Sequence, residues 1–166
     1  MDKIIALDRE LFLSLNGIHH ASLDVIMLWA TDKFFWIPFY IFILALLYRY
    51  FKIKTILIVF FVGALITLTD QTCVHLFKNV FQRLRPCYDP ELAGKMRLIT
   101  VGCGGQFGFI SNHASNSFAL AIFLGTLFQN KLKYMKIILI LWASLLAYSR
   151  IYVGVHYPGD VIGGAV

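Results

Sequence analysis

Residues 55–68 read Thr-Ile-Leu-Ile-Val-Phe-Phe-Val-Gly-Ala-Leu-Ile-Thr-Leu, an apolar run without a charge. No proline interrupts residues 69–78, where Asp70, Gln71, His75 and Lys78 arrive together in the last turns. A run of this character reads as a helix entering a bilayer. Its polar residues gather at one end, so that end marks the membrane surface or a polar pocket. Working outward, residues 34–50 form a first span, with Trp36, Tyr48 and Tyr50 suited to the aromatic belt. Residues 113–128 form a third span and 134–153 a fourth. A fifth starts at Pro158, and the few residues to Val166 are too few to cross about 30 Å, so the natural helix is expected to run further.

The composition agrees with lipid as the solvent for much of the chain. Of 166 residues, 59% are hydrophobic and 14% charged, and the mean hydropathy is +0.73. A soluble domain carries about 25% charged residues. Upstream, residues 3–16 read as an amphipathic helix, with Ile4, Ile5 and Leu11 against Asp8 and Arg9. Residues 21–31 form a second short segment. Both are read as interfacial or half-buried helices. The expected fold is all-α, a polytopic membrane helical bundle of about five transmembrane helices within one domain, 1–166. Residues 1–33 hold one or two interfacial helices and 34–166 the spanning bundle.

The net charge of +6 admits nucleic acid, an anionic surface or an anionic substrate. The basic residues sit at the ends of apolar runs or in short clusters, not in a stripe or a known module, which argues against nucleic acid. The short connections 49–54 and 130–136 hold six of the fifteen Lys and Arg. By raw count this opposes a cytoplasmic placement of those loops. Setting aside Lys78, Arg85 and Arg150, read below as chemistry, leaves an even balance. Cys87 and Cys103 lie in the long polar loop, where their closeness permits a disulfide if the loop faces an oxidising compartment. The alternative is two free thiols.

Three polar clusters converge on one side of the membrane. The first is Lys78-Asn-Val-Phe-Gln-Arg-Leu-Arg85-Pro86, the second Ile110-Ser-Asn-His113, and the third Ser149-Arg-Ile-Tyr-Val-Gly-Val-His156-Tyr-Pro-Gly-Asp160. Pro158 suits a first helical turn, which places Asp160 near the third helical position with His156 just outside. A carboxylate there can hold one imidazole nitrogen and leave the other as a nucleophile. Ser111 or Asn112 can cap the third spanning helix, and His113 at its start suits a general acid. Lys78, Arg85 and Arg150 form a phosphate clamp. Asp70 can pair with a basic residue or cap the polar pocket. No carboxylate pair or Cys/His metal spacing accompanies these residues, so neither a metal nor another cofactor is expected.

These clusters resemble the type 2 phosphatidic acid phosphatase (PAP2) superfamily, whose pattern is K-x6-R-P, P-S-G-H and S-R-x5-H-x3-D. Lys78, Arg85 and Pro86 match the first motif, and Ser149, Arg150, His156 and Asp160 match the third. In the second, Ile110 stands for Pro and Asn112 for Gly, while Ser111 and His113 remain. Asn is the next residue after Gly to tolerate positive φ, so the expected turn survives. The resemblance covers about residues 55–166. It implies His156 as nucleophile, Asp160 as its partner, and His113 as acid toward the leaving group. It also implies Lys78, Arg85, Ser111 and Arg150 as phosphate ligands. The layout is similar to the small bacterial membrane branch with undecaprenyl-pyrophosphate and phosphatidylglycerophosphate phosphatases. That likeness implies a multi-pass protein of the bacterial inner membrane, its site on the periplasmic side, acting on a membrane lipid phosphate. The rival readings are a lipid phosphotransferase with an acceptor other than water and a non-enzymatic anion- or lipid-binding membrane protein. The oligomeric state and the particular lipid are not legible.

Overall fold

The computed structural model describes residues 2–100 and 102–166. These fold into helices α1 (Asp2–Gly17), α2 (Ala21–Thr31), α3 (Ile37–Phe51), α4 (Lys54–Thr72), α5 (Asn79–Phe81), α6 (Asn112–Phe128), α7 (Met135–Tyr152) and α8 (Pro158–Ala165). A π-helical turn, Cys73–Lys78, joins α4 to α5 without a break, and Gln82 ends the run at φ 46°. The only β pairing among the described residues is a bridge between Leu84 and Phe107.

The 28 residues Lys54–Phe81 and the 18 residues Met135–Tyr152 are long and apolar enough to cross a membrane. At a 1.5 Å rise they reach about 42 and about 27 Å. The other expected spans are shorter here. The apolar helix α3 has 15 residues. In α6 the polar residues Asn112, His113, Ser115 and Asn116 occupy the first turns, and α8 has 8 residues. The helices 3–17 and 21–31 are bent 115° to each other and count as a third span only if taken as one broken element.

The central helix is α6, packed against α4, α7 and α8. Small residues permit the approach, since a Cβ on Gly125 would stand 2.9 Å from the Cα of Lys136. Phe128, Leu139 and Trp142 form the lipid-depth core with Ile43 and Leu47 of α3. Ile56, Leu57, Phe60 and Phe61 on α4 stay exposed, as bilayer contact requires. A short turn makes α6 and α7 antiparallel, so the polar start of α6 lies beside the polar end of α7. The long 82–111 loop returns the chain from the end of α5 to that same level. This alternation gathers the three clusters.

The N-terminal helices take the half-buried form, one of the two expected for them. The outward face of α1 is apolar, with Ile4 and Leu7 exposed, but its inner face is built into the protein. Phe12 and Asn16 are fully buried. The Asn16 amide donates to Tyr152 O at 2.8 Å and Arg97 O at 3.0 Å, and its oxygen accepts from Arg97 N at 2.8 Å. Asp24 of α2 accepts from Tyr152 Oη at 2.6 Å and from Arg97 at 2.9 Å. Sequence periodicity detects the polar face but not its partners, which include chain groups far away in sequence.

The Asn16→Leu variant orphans these backbone groups, at a cost of about 1–3 kcal/mol. The expected outcome is a lower midpoint of thermal unfolding in detergent. An unchanged midpoint would mean that Asn16 does not hold α1 in place.

Candidate active site

The last turn of α7 carries Ser149 and Arg150, and the chain then reverses through Gly154 at φ 90°. A Cβ at Gly154 would stand 2.3 Å from Arg97 O, so backbone alone fits there. Pro158 starts α8 and Asp160 falls at its third position, as the spacing predicts. Asp160 is fully buried. Its Oδ2 accepts from the Tyr157 backbone N–H at 3.0 Å and faces His156 Nδ1 at 3.3 Å. Its Oδ1 accepts from Arg83 at 3.0 Å.

His156 is buried, and its Nε2 lies 3.3 Å from a guanidinium nitrogen of Arg85. A guanidinium can only donate, so Nε2 presents its lone pair and Nδ1 carries the proton toward Asp160. Burial first, then the field of Arg85, Arg150 and Lys78, holds this imidazole well below its ordinary pKa. It is therefore a neutral base with a directed lone pair, ringed by three cations.

The cations are placed by different means. Arg85 is buried and donates from Nε to Phe107 O at 3.3 Å. Arg150 donates to Thr31 Oγ1, while its Nε is buried with no protein partner among the described residues. Lys78, positioned by the π-helical turn, donates to the amide oxygen of Asn112. The same Asn112 side chain donates from Nδ2 to Asp70 Oδ1 at 2.7 Å, which also accepts from Asn116 at 2.9 Å. Asp70 thus pairs with two amides.

Ser111 caps α6, its hydroxyl accepting from Ala114 N at 3.5 Å. Its backbone N–H donates to Asp160 O at 2.9 Å. The hydroxyl proton is still free to donate. Asn112 is the first residue of α6 and does not adopt positive φ, contrary to the expected turn. The replacement of Gly is tolerated because the position is helical. His113 is exposed, makes no side-chain hydrogen bond among the described residues, and lies in the field of Arg150, Arg85 and Lys78. Cys87 and Cys103 are joined as a disulfide, their Cα atoms 6.4 Å apart. Cys73 is a buried free thiol.

Two contributors escaped sequence reasoning. Arg83 lies inside the first motif, and its closeness to Lys78 and Arg85 was the only available signal. Gly108 lies against the site, where a Cβ would stand 2.9 Å from Asp160 Oδ2 and 3.1 Å from Arg85 Cγ. Nothing in the run around it announces that contact.

Such a site can seat a phosphate dianion, deliver an imidazole to phosphorus and protonate a leaving group, the equipment of a membrane phosphatase. Residues 56–166 match the sequence model of the PAP2 superfamily. The chain belongs to that superfamily. It is 40% identical over 163 residues to a lipid A 4'-phosphatase of Bacteroides thetaiotaomicron, covering 96% of this chain and 71% of the relative. It is 30% identical over 165 residues to an undecaprenyl-diphosphatase of Sulfolobus acidocaldarius, covering 96% and 72%. The crystal structure of a PAP2 type phosphatidylglycerolphosphate phosphatase from Bacillus subtilis superposes with a TM-score of 0.71. That match covers 99% of this chain and 80% of the other, at 23% identity, and establishes likeness of fold.

Two outcomes are expected. Gly108→Ala displaces Asp160 and Arg85 together and lowers kcat/KM about 100-fold, while circular dichroism keeps the helical content of the parent. The acid limb of kcat/KM, corrected for titration of the substrate phosphate, lies below the ordinary imidazole value of about 6.5. The sign follows because only a neutral imidazole has a lone pair to offer phosphorus, and the pKa of His156 is depressed.

Proposed function

We propose that this membrane phosphatase removes a phosphate monoester from a lipid A-like membrane lipid through a phosphohistidine on His156, without a metal. The observation that carries the reading is the Nε2 lone pair of His156, aimed at the Arg85 guanidinium while Nδ1 faces Asp160. A phosphate entering between these cations brings its phosphorus to the lone pair. Nε2 forms a bond to phosphorus as the bond to the lipid oxygen breaks. His113, protonated once the phosphate dianion offsets the surrounding cations, gives that proton to the departing oxygen. Water then attacks the phosphohistidine, His113 takes a proton back, and inorganic phosphate leaves as Nε2 recovers its lone pair. Lys78, Arg85 and Arg150, with the Ser111 hydroxyl, spread the charge that builds on the phosphoryl oxygens.

The Bacteroides relative supports lipid A as the first substrate to try, and the Sulfolobus relative makes undecaprenyl diphosphate the second. The site residues gather at the polar ends of the helices, a level at which a headgroup meets them while its acyl chains stay in the bilayer. The Cys87–Cys103 pair in the loop over the site supports an extracytoplasmic face of a bacterial inner membrane.

Inorganic phosphate release in detergent tests this, with lipid A, undecaprenyl diphosphate and phosphatidylglycerophosphate as substrates. Release from lipid A is expected to be fastest, to persist with excess chelator, and to vanish in His156→Ala. Release that survives His156→Ala would overturn the phosphohistidine route, and release lost to chelator would overturn its metal independence.

A further inference from the structure

Arg83 sits between Lys78 and Arg85 in sequence, yet its guanidinium serves two carboxylates. One nitrogen donates to Asp160 Oδ1 at 3.0 Å and the other to Asp8 Oδ2 at 2.6 Å. The plane between them lies 4.1 Å from the centre of the Tyr157 ring. The second oxygen of Asp8 accepts the backbone N–H of Gly159 at 2.8 Å. A Cβ on Gly159 would stand 2.7 Å from Asp8 Oδ2, so the chain leaves no side chain between them.

These contacts bear on how Asp160 is aimed. The terminal torsion of an aspartate is broad and roughly two-fold, so contacts on Oδ2 alone leave the carboxylate plane loose. Arg83 pins Oδ1, and with Tyr157 N–H on Oδ2 the plane has one orientation, the one that faces His156 Nδ1. Without Arg83, Oδ1 of a fully buried carboxylate would lack this partner. Only a planar fork reaches both carboxylates at once, which an ammonium cannot reproduce. We infer that Arg83 is a positioning residue for Asp160, and that Asp8 of α1 locks it, making the N-terminal helix part of the catalytic apparatus. This rests on the reading of His156 as the nucleophile oriented by Asp160.

Arg83 and Asp8 also line an apolar groove of about 920 Å³ between α1, Phe81 and Ile162, so direct contact with a lipid phosphate is the rival role. Steady-state kinetics on Arg83→Met, Asp8→Asn, the double variant and Arg85→Met separate the two, with inhibition by inorganic phosphate alongside. Positioning predicts kcat about 100-fold lower in Arg83→Met and about tenfold lower in Asp8→Asn. KM and the phosphate inhibition constant should stay within about threefold. The double variant should be no worse than Arg83→Met, because both act through one carboxylate. KM and the inhibition constant rising as in Arg85→Met would overturn the inference by making Arg83 a phosphate ligand. Single effects that multiply in the double variant would overturn the lock. An unchanged kcat per folded molecule, with a lower unfolding midpoint, would overturn it in favour of a purely structural role. His156→Ala separates the two readings. If it still turns over, the phosphohistidine reading fails; if it is dead while Arg83→Met is normal, the positioning inference alone fails.

Discussion

A carboxylate in the dry interior is tolerable only when its oxygens are satisfied, and Asp160 imposes that requirement on the whole polar end of the bundle. Its side chain takes Arg83 from the long loop, His156 from the turn after α7 and the Tyr157 N–H at the start of α8. Its backbone oxygen takes the N–H of Ser111 at the start of α6. The loop, the α7–α8 turn and α6 therefore meet at one residue. Gly108 supplies the close backbone approach on the remaining side, and α1 is tied in through Asp8. Moving the loop or the α7–α8 turn would cost the buried carboxylate a partner, and moving α6 would orphan its backbone oxygen.

Around that anchor the arrangement is costly by itself. Lys78, Arg85 and Arg150 repel one another and lower the proton affinity of His156, and the buried Nε of Arg150 has no partner among the described residues. On the proposed reading, a phosphate dianion relieves all three strains at once. On that reading, the folded geometry holds an electrostatic field matched to the group on which the enzyme acts. The rest of the bundle supplies the stability that allows this, through the close seam of α6 and α7 and the core around Phe128, Leu139 and Trp142.

The second motif shows how a departure from a family pattern is absorbed. Glycine at position 112 would suggest a backbone requirement, yet the position is helical, so a side chain costs nothing there. Asn112 instead links Lys78 to Asp70, and the lysine is held by a bridge that a glycine could not make. Asp70 is hydrogen-bonded by the amides of Asn112 and Asn116 and makes no direct salt bridge among the described residues. Polar residues within a span find partners on the neighbouring helix because the bilayer offers none.

The helical class, the greasy spans and the three clusters were legible in sequence because they are local: a run of apolar residues, a Pro at a helix start, a carboxylate four residues after a histidine. Spacing alone put Asp160 on the first turn of α8, with His156 just before it. The tertiary structure alone decided what these groups face. The depth of α1 depends on Asn16 meeting backbone from α7 and the long loop, 81 and 136 residues away in the case of Arg97 and Tyr152. The pairing of Arg83 with Asp8 and Asp160 spans 75 and 77 residues. Helix propensity and hydrophobic period act over a few residues, whereas the aim of a carboxylate or guanidinium is set by whichever partner the packed helices bring within about 3 Å.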